Sequence, residues 1–191
     1  MLVVKLDSSG NVAWYTFLGN TGLDQADSIQ QTSDGGYIVA GRASADIPTL
    51  QGIYPIYAHS SGTNYDMLVV KLDSIGNVAW YTFLGGTGDD EAYSVRQTSD
   101  GGYIVAGDAA SDITFSQGTK LNVHSTGTNK DMLVVKLDSS GNVAWYTFLG
   151  GTGGDGAYSL DQTSDGGCIV AGYGADISSL QGKEPLNAYS G

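Results

Sequence analysis

The stretch that decides the fold is Lys136–Gly151, KLDSSGNVAWYTFLGG, because the chain contains it three times. It begins again at Lys71, with Ile75 in place of a serine, and at Lys5, with Asn20 in place of the last glycine. A sequence that recurs at a fixed period encodes an array of one structural unit, so every further prediction starts from the repeat.

The period of the repeat follows from the motif MLVVKLD, which opens at Met1, Met67 and Met132, in steps of 66 and 65 residues. The motif QTSDGG keeps the same step. We therefore divide the chain into three repeats of one array, the last of them incomplete at its C-terminal end: 1–66, 67–131 and 132–191.

The composition favours strands over helices. The chain has 29 Gly and 12 Tyr, and only 15% of its residues are charged. Such a mixture suits short strands joined by tight turns. Because 41% of the residues are hydrophobic, the chain can bury a core, and we do not expect plain disorder. The predicted fold class is all-β.

Within one repeat the pattern predicts four strands and two tight turns. The turns, DSIGN at 73–77 and DGG at 100–102, combine an aspartate that caps a turn with glycines that adopt positive φ. Both are typical of hairpins, so we expect four antiparallel strands in one sheet. The predicted strands are 68–72, 78–84, 93–98 and 103–106.

The predicted second strand is apolar on both faces. One face carries Val78, Trp80 and Leu84, and the other carries Tyr81 and Phe83. A sheet with one face in water would alternate between apolar and polar residues. We therefore expect each sheet to be covered on both sides by neighbouring sheets, as the four-stranded blades of a β-propeller are.

The repeat resembles a known family. The strings KLDSSGNVAWYTFLGGTG and GDDEAYSVRQTSDGGYIVAG are similar to the bacterial and archaeal β-propeller repeats of large surface and secreted proteins. The resemblance covers most of each copy. It implies β-propeller-like, four-stranded antiparallel blades and an extracellular or cell-surface location, and it implies no particular activity.

Three copies are too few for a closed propeller, since propellers typically have about four to eight blades. The two ends of the array should then be able to bind each other head to tail. The sequence leaves open a closed ring of two or more chains, an open filament, and a segment of a longer polypeptide. It also leaves open whether a blade is 67–107 as written, or permuted so that 1–19 completes a sheet begun by 158–172.

The net charge of −12 opposes binding to nucleic acid or to an anionic membrane. No apolar run reaches the roughly 20 residues of a membrane helix, so we expect no membrane insertion. The single cysteine, Cys168, stands where the other copies have Tyr37 and Tyr103, and we interpret it as a packing substitution.

No pattern of catalytic, cofactor-binding or metal-binding residues is found, and we expect no enzyme and no cofactor. Two histidines 65 residues apart, His59 and His124, do not form a metal-ligand cluster. The aspartates that recur in the turns after the second strand are Asp24, Asp90 and Asp155. They could bind Ca²⁺ weakly, but one carboxylate per turn favours a turn cap.

The stretches between repeats differ from copy to copy, and they either bind a ligand or cover a sheet edge. Their candidate interaction residues are Tyr54, Tyr57, His59, Phe115, His124 and Tyr189. The sequence thus predicts a non-enzymatic, self-associating structural protein that forms a head-to-tail homo-oligomer. The alternative is a binding module that recognises a glycan or a protein through these variable loops.

Overall fold

The computed structural model of the chain describes residues 1–60, 63–113, 115–125, 129–175, 177, 180–183 and 186. These residues form strands and turns and no helix, which confirms the all-β class. This part of the chain accordingly contains no helical segment that could cross a membrane. In chain order the strands are β1 (Leu2–Leu6), β2 (Val12–Phe17), β3 (Asp24–Gln31), β4 (Tyr37–Ala43), β5 (Asp66–Leu72), β6 (Val78–Leu84), β7 (Asp90–Gln97), β8 (Tyr103–Ala109), β9 (Thr119–Lys120), β10 (Asp131–Leu137), β11 (Val143–Leu149), β12 (Gly156–Gln162) and β13 (Cys168–Tyr173).

In the described part of the chain the strands form four sheets, numbered I to IV along the sequence. Sheet II has the strand order β3-β4-β5-β6, and sheet III has the order β7-β8-β10-β11-β9. Sheet I is the hairpin β1-β2 and sheet IV is the hairpin β12-β13; we call these two the half-sheets. All strand pairs are antiparallel except β9 with β11. Two complete four-stranded meanders thus lie between two half-sheets.

The boundaries of the sheets do not coincide with the boundaries of the repeats 1–66, 67–131 and 132–191. The prediction that the four strands of one repeat form one sheet is wrong, because β6 and β7 belong to different sheets. The connection at 85–89 is held by the carboxylate of Asp90, which accepts hydrogen bonds from the backbone N–H groups of Gly86 and Ala110. This cap directs the chain from sheet II into sheet III. The permuted alternative matches sheets II and III, since β4 pairs with β5 across the repeat boundary.

Both predicted hairpin turns are present. In the first, Asp73 Oδ1 accepts hydrogen bonds from the N–H groups of Ile75 (3.0 Å) and Asn77 (2.8 Å), and Gly76 has a φ of 90°. In the second, Gly101 has a φ of 83°. Only glycine adopts such angles readily, which explains the glycine of each turn motif.

The core lies between successive sheets. One cluster joins sheet I to sheet II, a second joins sheet II to sheet III, and a third joins sheet III to sheet IV. β5 and β8, in the middle of the complete sheets, are buried along their whole length. Both faces of these central strands are therefore covered, as the two-sided apolar pattern predicts, whereas most of β3 at the edge of sheet II is exposed.

Polar contacts join the first strands of successive sheets, and they recur from joint to joint. The N–H of Val95 in β7 donates to Ser28 Oγ in β3 (3.1 Å). The N–H of Leu160 in β12 donates in the same way to Ser94 Oγ in β7 (3.2 Å). Equivalent residues thus make the same bond at two successive joints, so the joint between sheets III and IV repeats the one between sheets II and III.

Candidate interaction surfaces at the two ends of the chain

The N-terminal end presents an apolar surface. We define the N-terminal face as five side chains of sheet I that point away from sheet II, with exposed fractions between 43% and 72%: Leu2, Val4, Leu6, Tyr15 and Phe17.

The same five positions are buried in the other two copies. Their exposed fractions do not exceed 1% in sheet II or 2% in sheet III. The residue types are identical in all three copies, so only the position in the array differs. The N-terminal face is exposed because none of the other sheets of the described residues covers it. The equivalents are Leu68, Val70, Leu72, Tyr81 and Phe83 in sheet II, and Leu133, Val135, Leu137, Tyr146 and Phe148 in sheet III.

At the C-terminal end, the opposite side of the sheet is exposed, although its equivalents in the complete sheets are buried. Ile169 in β13 is 64% exposed, whereas the equivalent Ile38 and Ile104 are 0% and 2% exposed. We define the C-terminal face as Ile169 and Ala171, both of which are exposed. It is the side of sheet IV that points away from sheet III.

The half-sheets also leave strand edges unpaired within the described chain. β4 and β8, the equivalents of β13, pair along seven residues with β5 and β10, the equivalents of β1. β1 pairs with β2, and β13 pairs with β12, and neither has a second neighbour among the described residues. An unpaired edge exposes a row of N–H and C=O groups that can pair with another chain.

A cleft lies beside each half-sheet. The cleft at the N-terminal end has a volume of about 240 Å³ and lies between β1 and β3, with Ala26 and Ile29 in its wall. The cleft at the C-terminal end has a volume of about 600 Å³ and includes Val134, Trp145 and Leu149 of sheet III. Each cleft lies where the two further strands of a complete four-stranded sheet would be.

Charged residues repeat the same pattern. Lys71 pairs with Asp34 at 2.9 Å, and Lys136 pairs with Asp100 at 3.0 Å, each across the strand pair that joins two repeats. The hydroxyl of Thr98, the N–H of Gly102 and Lys136 together lower the pKa of Asp100 to about 2.

The equivalent charges at the two ends are Lys5 and Asp165. Neither has an ion-pair partner within the described part of the chain. Sequence reasoning missed this pairing, although a lysine and an aspartate recur at fixed places in MLVVK and SDGG.

The two histidines serve the structure of the variable stretches. The ring of His59 contacts the carbonyl oxygen of Ala43 (3.2 Å) and lies edge-on to Phe83. The ring of His124 makes the same contacts with Ala109 (3.0 Å) and Phe148. His59 thus holds its variable stretch against the end of β4, and His124 holds its own against the end of β8.

The other predicted interaction residues divide into partly buried and exposed. Tyr57 and Phe115 pack together with ring centroids 5.7 Å apart, at the edge of the core. Tyr54 is 74% exposed. Tyr189 lies outside the described residues.

The variable stretches cover the outer edges of the complete sheets. The N–H of Phe83 in β6 donates to the carbonyl of Tyr57 (3.1 Å), and the N–H of Ile56 donates to the carbonyl of Tyr81 (2.9 Å). β9 does the same for β11. These bonds favour the edge-covering interpretation, and a ligand role for the stretches stays a prediction.

The recurring turn aspartates act as caps, as the turn-cap interpretation predicts. Asp24, Asp90 and Asp155 each accept a hydrogen bond from the backbone N–H four residues earlier, at 2.8, 2.7 and 2.9 Å. The sequence did not predict that Asp90 would lie beside a second buried carboxylate, Asp66, near Gly85. Burial, with a smaller contribution from the charge of Asp66, raises the pKa of Asp90 to about 7.

Comparison with known proteins gives one partial similarity. No family model matches the chain. The chain is similar to the regulatory protein FlaEY of Caulobacter vibrioides, with 31% identity over 117 residues, or 61% of this chain. The match spans 12% of the length of that relative. It therefore covers a small part of a much longer protein.

Proposed function

We propose that the chain is a non-enzymatic structural repeat protein that associates head to tail with copies of itself, as a β-propeller-type building block at the cell surface or outside the cell. One observation carries the proposal: five identical side chains are buried in the second and third copies and exposed in the first. Large exposed apolar patches on soluble proteins commonly mark interaction sites.

The energetics require contributions from both ends. Burying an apolar side chain completely is worth about 1.5–3 kcal/mol, and the N-terminal face is already about half buried, so its five side chains offer roughly 5 kcal/mol. Association costs an estimated ~4–15 kcal/mol in lost freedom. The N-terminal face alone is therefore marginal, and the C-terminal face, the free strand edges and the terminal charges must contribute as well.

The arrangement of the sheets supports the propeller-type architecture. Four-stranded antiparallel sheets stack face to face, and β3, β7 and β12 of successive sheets are linked by hydrogen bonds. Each chain supplies two complete sheets and two half-sheets, equivalent to three sheets. Two chains would supply six, within the typical range of about four to eight blades. A rotation per chain that does not close would give a filament instead.

A charged residue on the N-terminal face should abolish association without unfolding the protein. We expect the wild-type mass, measured by light scattering after size exclusion, to be a multiple of the 19.8 kDa chain. Phe17→Asp should give a folded monomer, because a charge cannot be buried unpaired against another sheet.

The matched control is Ile75→Asp, which places the same charge on an apolar residue that is 69% exposed in a hairpin turn. It should associate like the wild type, and circular dichroism should be the same for all three proteins. A wild-type chain that stays monomeric at every concentration would refute the proposal.

A further inference from the structure

The geometry points to a sheet shared between two chains. In this arrangement β12 and β13 of one copy and β1 and β2 of the next form one four-stranded sheet, in the order β12-β13-β1-β2. The inference rests on the proposed function and specifies its contact: the partner is a second copy, bound by pairing of β13 with β1 and not by stacking of faces alone.

The register of the new strand pair follows from the two internal pairs. Tyr37 lies opposite Leu72, and Tyr103 lies opposite Leu137. Cys168 occupies the position of these tyrosines, and Leu6 occupies the position of these leucines. Cys168 of one chain therefore lies opposite Leu6 of the next.

The same register places Gly172 opposite Leu2. The internal precedents are Gly41 with Leu68 and Gly107 with Leu133. The shared strand pair thus extends along most of β1 and β13, antiparallel like its two internal counterparts.

The N-terminal face fits the larger cleft. Between sheets II and III, Trp80 and Leu84 pack in one cluster with residues of β10 and β11 such as Tyr146. The residues equivalent to Trp80 and Leu84 in sheet III are Trp145 and Leu149, which line the cleft of about 600 Å³. The N-terminal face of a second chain would occupy this cleft as its equivalents occupy the internal joint.

The C-terminal face fits the smaller cleft. Ile38 and Ala40 of β4 pack in one cluster with Val95 of β7. Ile169 and Ala171 are equivalent to the first two, and Ile29, in the wall of the cleft of about 240 Å³, is equivalent to Val95. β13 of one chain would therefore fill the space beside β1 of the next.

Polar groups match as well. Lys5 of one chain meets Asp165 of the other, as Lys71 meets Asp34 and Lys136 meets Asp100 within the chain. The N–H of Ile29 would donate to Ser159 Oγ, as Val95 and Leu160 donate to Ser28 and Ser94. Each of these two polar contacts therefore has two precedents inside the chain. The equivalent residues are Lys5, Lys71 and Lys136; Asp34, Asp100 and Asp165; and Ser28, Ser94 and Ser159.

Cross-linking tests the register, because Cys168 is the only cysteine of the chain. Leu6→Cys places a second thiol directly opposite Cys168 of the next chain, within the Cα separation that a disulfide spans. Diamide oxidation should link the chains of this variant about tenfold more completely than those of Leu2→Cys, whose thiol lies about 13 Å away along β1. Leu2 and Leu6 are similarly exposed, at 52% and 49%, which makes them a matched pair.

A charge exchange provides a second test that does not depend on thiols. Lys5→Asp and Asp165→Lys should each weaken association, and the double variant should restore it, because the opposite charges meet again with reversed signs. Both positions lie on the strands or turns of the half-sheets and are partly or fully exposed.

The outcomes separate the two proposals. If the wild type associates but both cysteine variants cross-link equally and the double charge variant restores nothing, the shared sheet is wrong and self-association stands. If the wild type is a monomer, both proposals fail. If Leu6→Cys does not fold, the charge exchange decides the register alone.

Discussion

At the scale of the single residue, Asp90 is the clearest case of a side chain whose chemistry is set by its place in the array. It is fully buried, it caps the turn that leads into β7, and burial raises its pKa to about 7. The sequence predicts the cap, because an aspartate recurs in that turn. It could not predict the pKa, which depends on Asp66 and on the sheets packed around both carboxyl groups.

The raised pKa predicts that stability falls as the pH rises. The usual pKa of Asp90 is 3.8, so between pH 4 and pH 7 the folded state holds a proton that the unfolded state has lost. The contribution of this group to the free energy of unfolding should therefore decrease across that window by about 2–4 kcal/mol. Asp90→Asn should remove this part of the pH dependence, measured by urea unfolding at pH 5 and pH 8.

The control for this measurement is Asp73→Asn. Asp73 lies in an exposed turn, where hydrogen bonds from Asn77 lower its pKa, so it is ionised throughout this window. Its replacement should leave the difference between pH 5 and pH 8 unchanged. An Asp90→Asn variant with the full wild-type pH dependence would contradict the assignment.

At the scale of the element, the strands and hairpins follow from local sequence, and the membership of the sheets does not. The turns at 73–77 and 100–102 specify their hairpins through Asp73, Gly76 and Gly101. Whether the second strand pairs with the third or leaves the sheet is decided by the cap of Asp90 and by the fit of β4 to β5. Those contacts join distant parts of the chain, and periodicity alone does not contain them.

Gly107 tests the close packing of two strands. A bulge between Ala92 and Ser94 brings the backbone of β7 so close that a Cβ on Gly107 would overlap the carbonyl of Glu91 and lie 2.9 Å from the Cα of Ala92. Gly107→Ala should therefore lower the free energy of unfolding by about 2–3 kcal/mol.

The comparison variant is Gly101→Ala, where the new Cβ meets nothing within 4 Å and only the positive φ opposes it. Its loss should be about 1 kcal/mol. Urea denaturation of both variants in the Phe17→Asp background separates folding from association. Equal losses at the two positions would show that the close approach does not determine the need for glycine.

At the scale of the whole molecule, the proposed association requires the two ends of the array to be complementary to each other. The sequence predicts uncovered ends, because every copy is apolar on both faces and only three copies are present. It leaves open where the sheets divide, and the half-sheets settle this for the chain. The sequence does not indicate that Lys5 and Asp165 could pair. That inference depends on the ion pairs Lys71–Asp34 and Lys136–Asp100 of the structure.

Hydrogen–deuterium exchange of the intact wild-type chain tests most directly whether a second copy covers these ends. At high protein concentration, the amides of β1 and β13 should exchange slowly, and dilution should make them exchange quickly while β5 and β8 stay protected. Phe17→Asp should give the fast pattern at every concentration. If β1 and β13 of the wild type exchange quickly even at the highest concentration, no other chain pairs with them, and the head-to-tail account is wrong.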